Sequence, residues 1–262
     1  LTINKVSASV ATAPSAKSLT YSGSAQALVN AGTPSGGTMY YQMTTSNSKP
    51  SSTSSFSTTI PTGTNAGTYY VWYYVKGDSN HNDSAISSAV SVTIANKSIS
   101  IPTPTGVSRA YNGNAATATF GAATGASITK YRYGTNGTSW TETTTNPSQT
   151  NVGTLYVQAY YTAGTNYTGS GWSDSAMLAI SQVTPTVREP IAKVLTYNTL
   201  AQELVIAGST NFGTLKYSLD NSTWSTSVPT ATNQGNYTVF YKVVGDSNIK
   251  SVDAKSVACS IN

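Results

Sequence analysis

Three stretches of the chain alternate with a period of two between positions that stay apolar and positions that drift in polarity. Successive side chains of a strand point to opposite faces, so residues two apart share a face. One face reads Tyr69, Val71, Tyr73, Val75 in the first stretch. The second reads Leu155, Val157, Ala159, Tyr161, and the third Tyr237, Val239, Tyr241, Val243. Each set suits the interior of a half-buried strand. The opposite face reads Tyr70, Trp72, Tyr74, then Tyr156, Gln158, Tyr160, then Thr238, Phe240, Lys242, and is expected to point outward. On that reading Tyr70, Trp72 and Tyr74 form an exposed aromatic stack, with Trp172 a further exposed ring. These four are the candidate binding residues, because contiguous exposed rings mark contact sites for sugar faces or protein partners. The competing structural reading packs the rings against a neighbouring domain or under the long Ser-rich loop around Ser46 to Ser55.

These stretches belong to an internal repeat. Leu19-Thr-Tyr21 through Gln26-Ala-Leu28-Val-Asn-Ala31-Gly32 matches Leu195-Thr-Tyr197 through Gln202-Glu-Leu204-Val-Ile-Ala207-Gly208. Further along, Ile60-Pro61-Thr-Gly-Thr-Asn65-Ala-Gly67-Thr-Tyr69 matches Val228-Pro229-Thr-Ala-Thr-Asn233-Gln-Gly235-Asn-Tyr237, and Gly77-Asp-Ser-Asn80 returns as Gly245-Asp-Ser-Asn248. A divergent middle copy carries Tyr111-Asn-Gly113, Trp140, Thr150-Asn151-Val-Gly153 and Gly164-Thr-Asn166. The anchor tyrosines Tyr21, Tyr111 and Tyr197 recur about every 90 residues, the size of one small β-sandwich.

Strand-like endings set the expected boundaries: Val92-Thr-Ile94, Leu178-Ala-Ile180 and Cys259-Ser-Ile261 close the copies, giving domains 1–95, 96–181 and 182–262. Leu1-Thr-Ile3-Asn-Lys5 has the same look. It reads as the last strand of a preceding domain, or else as a strand recruited into the first, and the former is preferred; the chain is then a slice of a longer array. Short linkers with Pro102, Pro104 and Pro185 nearby favour semi-rigid joints. The expectation is an elongated array, a rod of roughly 100–120 Å with a radius of gyration of about 30 Å rather than the roughly 18 Å of a compact globule.

Composition narrows the class. Charged residues make up only 9% of the 262, against 38% hydrophobic and 10% aromatic, which is the reverse of a disordered chain. The abundant Thr, Tyr and Val suit a pleated surface. The net charge of +5 is scattered rather than gathered into a basic arm, so no nucleic-acid partner is expected. There is one cysteine, Cys259, which rules out an internal disulfide framework and fits a chain living outside the cell. No apolar run reaches membrane-spanning length.

No catalytic residue, metal ligand set or cofactor is expected. His81 stands alone as the sole histidine, in the loop after Gly77-Asp-Ser-Asn80, and reads as a solvated loop residue. Asp78 and Asp246 occupy equivalent turns and read as Asx turns rather than as a calcium site, which needs several more oxygens. Glu142, Glu189 and Glu203 each belong to a single copy and form no acid pair for glycosidase work. Trp140 and Trp224 align with Phe56, and a retained aromatic reads as hairpin packing.

The start of each penultimate strand resembles the tyrosine corner of immunoglobulin domains. Asn65-Ala-Gly67-Thr-Tyr69-Tyr-Val71 and Asn233-Gln-Gly235-Asn-Tyr237-Thr-Val239 have its spacing, with valine in place of the disulfide cysteine and Leu155 replacing the tyrosine in the middle copy. The set Leu-Thr-Tyr, Gln-x-Leu-Val-x-Ala-Gly, Tyr-Ser-Leu-Asp, Pro-Thr-Ala-Thr-Asn and Gly-Asp-Ser-Asn resembles Ig-like tandem repeats of large surface proteins of gut bacteria. It is also similar to modules appended to bacteriophage tail, fibre and capsid proteins. The resemblance covers the first and third copies well and the middle one loosely. It implies an all-β chain of three tandem immunoglobulin-like β-sandwich domains. It further implies a non-catalytic spacer or stalk on a cell or virion surface, with weak adhesion to surface glycans or to host or virion proteins. Carbohydrate binding and an accessory role in a larger secreted enzyme are the alternatives.

Overall fold

The computed structural model describes residues 3–262, and every regular element among them is a β-strand. Leu1 and Thr2 of the opening strand expected from the repeat lie outside the described residues. The chain forms two compact units, one of Leu1–Ile101 with Ala122–Ile128 and Tyr161–Gly171, the other of Pro102–Gly121, Thr129–Tyr160 and Trp172–Asn262.

In the first unit the main sheet runs in the order Leu19–Thr20, Val90–Ala95, Gly67–Gly77, Gly37–Thr44. The first pair is parallel and the other two antiparallel. Opposite it lie the short ladders Ser9–Thr12 with Thr33–Ser35, Ser15–Ala16 with Val29–Asn30, and Gln26–Ala27 with Thr62–Gly63. Between the layers sit Leu28, Val29, Met39, Tyr41, Val71, Val75, Val92 and Ile94. The alternation of Gly67–Gly77 therefore delivers Val71 and Val75, both fully buried, to the sandwich interior. Burying each such side chain is worth roughly 1.5–3 kcal/mol. Ile3, by contrast, is 86% exposed, while Ile94 at the matching position of the repeat is 1% exposed.

The third copy, in the second unit, repeats the plan. Its main sheet is ordered Val194–Leu195, Val252–Ile261, Gly235–Val244, Thr214–Ser218, again with a parallel first pair. Leu204, Val205, Tyr217, Val239, Tyr241, Cys259 and Ile261 fill the core. The Cys259 thiol points at the Tyr237 carbonyl at 3.6 Å, and burial pushes its pKa up. The middle copy has the same parallel pairing, Val107–Ala110 beside Ala176–Ser181, and an antiparallel partner in Gly153–Ala163. Its core holds Ala118, Leu155, Val157, Ala176 and Leu178.

All three penultimate strands begin at a glycine with positive φ: +147° at Gly67, +148° at Gly153 and +154° at Gly235. That backbone is costly for any residue with a Cβ, which explains the Asn-x-Gly spacing in every copy. Tyr69 and Tyr237 enter half-buried, because each phenol reaches back to the carbonyl of Asn65 or Asn233, at 2.8 and 2.7 Å.

Candidate functional site

The outward assignment of Tyr70, Trp72 and Tyr74 meets its test in the first copy, and two of the three rings are not exposed. Trp72 and Tyr74 are each 4% exposed; Tyr70 is half-buried. Two segments fold over this face. The loop after Thr44 brings Phe56 edge-on to Tyr74, ring centroids 5.3 Å apart at 81°, and reciprocal backbone bonds between Tyr41 and Ser57 pin the loop there. From the other side Ser84 and Ser87 bond Val75 and Tyr73, setting Ile86 and Ala89 against the same rings. The Trp72 indole N–H donates to Thr44 Oγ1 at 2.9 Å. The outer face of this copy is thus a second, smaller core, and the structural reading of these aromatics under the Ser-rich loop prevails.

What stays open there is a groove of about 410 Å³ lined by Asn47, Lys49, Tyr70, the edge of Trp72, Ser87 and Ser91. Nearby, the side-chain oxygen of Gln42 is buried without a partner.

The outer faces of the other copies are covered by cations. In the middle copy the Arg132 guanidinium lies 4.3 Å from the centre of the Trp172 ring and 4.7 Å from that of Trp140. Lys130 sits over Trp172 and Tyr160, and pairs with Glu142 at 2.8 Å. In the third copy Lys242 stands 4.1 Å from the centre of Trp224. Trp172 is therefore half-buried in a ladder of alternating rings and cations rather than standing free, and each contact of this kind contributes about 0.5–2 kcal/mol. Phe56, Trp140 and Trp224 all cap the outer face of their own copy.

The polar turns carry the most regular geometry in the chain. Within the first unit, Asn166 accepts from the Ala66 N–H through Oδ1 at 2.8 Å and donates from Nδ2 to Asn65 Oδ1 at 3.1 Å. Its own carbonyl receives the Lys97 N–H at 2.9 Å, so Lys97–Ser98 runs parallel to Tyr167–Thr168. Tyr21 meets Tyr167 edge-on, ring centroids 5.4 Å apart. Within the second unit, Asn248 accepts from Val152 N–H at 2.8 Å, donates to Asn151 Oδ1 at 3.2 Å, and receives Val183 N–H at 3.1 Å. Here Tyr111 faces Phe212, centroids 6.2 Å apart. Each junction thus locks the Asn-x-Gly corner of one copy to the turn asparagine of the next. The sequence comparison isolates all of these asparagines as repeat markers; their pairing over about a hundred residues has no local signal.

Titratable groups serve the backbone and one another. Asp78 Oδ1 receives the Asn80 N–H at 2.8 Å in the expected Asx turn and lies 2.6 Å from His81 Nδ1. The His81 contact and then the Asn80 N–H hold the Asp78 carboxyl below its usual range. Asp83 takes the Gly77 N–H, and Asp246 that of Asn248. Asp220 is held lower still by the Thr223 N–H, the Ser218 hydroxyl and the Ser222 N–H. Glu189 and Glu203 pair with Lys255 and Lys193, each at 2.7 Å. Glu189 is lowered by the Lys255 contact first and that of Tyr241 second, while Tyr241 is pushed up to about 12 by burial and then by Glu189. Among the described residues, no three His, Cys, Asp or Glu side chains gather as metal ligands, and no helix is long and apolar enough to cross a membrane.

No family model and no curated protein matches the chain. Among solved structures it is similar to the fibronectin(III)-like modules of Clostridium thermocellum CbhA, with 17% identity, 62% of this chain and 93% of that one covered, and a TM-score of 0.25. It is similar to the FN1–FN3 domains of chicken CNTN1 at 10% identity, with 94% and 98% of the two chains covered and a TM-score of 0.26. Immunoglobulin domains 1–5 of Sidekick-1 are 11% identical over 98% of this chain and 59% of theirs, TM-score 0.25. At these values the likeness concerns fold alone. The chain is all-β, an array of Ig-like β-sandwiches on its own sheets and cores.

Proposed function

We propose that the chain is a non-catalytic, tension-bearing spacer of three Ig-like domains, 1–95, 96–181 and 182–262, on a cell or virion surface. One observation carries this reading: in each copy the first and last strands of the main sheet pair in parallel. Leu19–Thr20 lies beside Val90–Ala95, Val107–Ala110 beside Ala176–Ser181, and Val194–Leu195 beside Val252–Ile261. Pulling such a domain by its ends draws the two strands past each other, so the hydrogen bonds between them are loaded together rather than unzipped singly. The middle ladder has four residue pairs, Val107↔Leu178 to Ala110↔Ser181, and the flanking ladders two each. A surface location is supported by the repeat resemblance. Single-molecule stretching of the chain tests the proposal. Three separate rupture events are expected, each releasing roughly 300 Å at about 3.4 Å per extended residue, with the middle domain yielding last. One cooperative event, or unzipping at negligible force, overturns it.

A binding role is the second reading, and the groove over Tyr70 favours it. A half-buried ring beneath Asn47, Lys49, Ser87 and Ser91 offers a stacking surface rimmed by hydrogen-bonding groups, the composition that recognises a sugar. A glycan array probed with the wild type and with Tyr70→Ala distinguishes the readings. Specific binding lost in the variant supports adhesion, and no binding leaves the spacer alone.

A further inference from the structure

We propose that the corner of the third copy formed by Tyr197, Asn233 and the Gln234 N–H is an open docking site for one more Ig-like module of the same repeat type. The site takes such a module through the asparagine of its Gly-Asp-Ser-Asn turn, when the module is linked to the last strand, Val252–Ile261.

The two filled junctions define what the site requires. Each uses a corner asparagine, the N–H of the residue after it, and a tyrosine from the Leu-Thr-Tyr or equivalent anchor. In the first unit these are Asn65, Ala66 and Tyr21; in the second, Asn151, Val152 and Tyr111. Asn233, Gln234 and Tyr197 stand at the matching positions of the third copy. The corner is built the same way there, with Gly235 at φ +154° and the Tyr237 hydroxyl on the Asn233 carbonyl. Among the described residues, however, the Asn233 side chain and the Gln234 N–H have no hydrogen-bond partner, and no ring lies against Tyr197, which is 50% exposed.

The complementary half exists in the first copy. Asn80 ends the Gly77-Asp-Ser-Asn80 turn, shaped by Asp78 as Asp246 shapes that of Asn248. Its carbonyl already receives the Val6 N–H at 3.3 Å, and Val6–Ser7 pairs in parallel with His81–Asn82, so the linker is seated as at the internal junctions. Only its side-chain amide is unpartnered among the described residues. An occupant bearing such a turn gives Asn233 an amide donor, gives Gln234 N–H an acceptor, and brings a side chain against Tyr197 as Tyr167 meets Tyr21 and Phe212 meets Tyr111.

The linker decides between an attached module and a separate molecule. At both filled junctions the chain leaving the last strand, at Lys97 or Val183, bonds the carbonyl of the same asparagine whose side chain makes the clamp. Clamp and linker act on one residue, so the occupant arrives with its linker attached. The inference rests on the array reading for its partner. Its evidence is separate, because loss of mechanical resistance would leave the junction bonds in place.

The test uses a tandem duplicate of the full chain in which Asn4 follows Ile261, keeping the repeat in register because Ile3 and Ile261 occupy the same position of the repeat. Amide hydrogen exchange is read at Gln234, with Ala66 and Val152 as internal references for filled junctions. In the single chain Gln234 exchanges freely while Ala66 and Val152 are protected. In the duplicate, Gln234 of the first half slows by about tenfold or more, toward its two references. Asn80→Ala in the second half restores fast exchange at Gln234 without moving Ala66 or Val152. An unchanged Gln234 in a duplicate whose references stay protected overturns the proposal. Concentration-dependent protection of Gln234 in the single chain also overturns it, by assigning the face to a second copy.

Discussion

The Tyr69 hydroxyl donates to the backbone carbonyl of Asn65 at 2.8 Å, so one side chain ties the first turn of the penultimate strand to the residue that also holds Asn166. Tyr237 repeats the bond to Asn233 at 2.7 Å. Tyr69→Phe and Tyr237→Phe remove one hydroxyl and little else, and each is expected to cost about 1 kcal/mol. Denaturant titrations check this. The middle copy, with Leu155 at that position, is the internal comparison.

Trp72 behaves as a core residue. Truncation to alanine is expected to destabilise by about 3–5 kcal/mol, the range for large buried aromatics, in urea unfolding of the first copy. Tyr70→Ala, at the half-buried edge of the same face, costs clearly less. Tyr70 and not Trp72 is therefore the position from which to probe sugar binding.

Gly67 has open space where a Cβ would stand, yet its φ is +147°. Gly67→Ala isolates backbone conformation from steric clash. A loss of about 1–3 kcal/mol in thermal or chemical melts is expected from the strained φ alone. A neutral result would mean that the corner relaxes without cost.

The acid limb of stability has a sign set by Asp220. Its carboxylate collects the Thr223 N–H first, then the Ser218 hydroxyl and the Ser222 N–H, so its folded pKa lies below the unfolded value of about 3.9. The stabilisation is present above about pH 4 and is lost as pH falls toward the folded value. Asp78 and Glu189, both lowered, titrate in the same direction. Melting curves taken from about pH 5 to about pH 2 should show a shallower loss for Asp220→Ala than for the wild type.

The interior was legible because strand periodicity is local. Val71, Val157 and Val239 are inward by the alternation of their own strands, and all three are fully buried. The same periodicity misplaces Trp72 and Tyr74. Alternation tells which sheet face a residue takes, but not whether a loop such as that carrying Phe56 will cover the outer face. Arg132, Lys130 and Lys242 were equally hidden, since cation–ring contacts join residues from different strands. The junctions stood in the sequence as a recurrence of Asn65, Asn151 and Asn233 against Asn80, Asn166 and Asn248. Nothing in a single copy shows that a corner in one is completed by a turn in the next.

Cys259 lies on the last strand of the third copy, its sulfur buried against the Tyr237 carbonyl, where burial raises the pKa of the thiol. A thiolate must form and be reached before an alkylating reagent can react, so labelling is expected to be slow until that strand lifts away. The labelling half-time of this lone sulfhydryl is consequently a clock for opening of the third sandwich. Disulfide-linked dimers in an aged sample would record the fraction of molecules that had opened, not an assembly of folded ones.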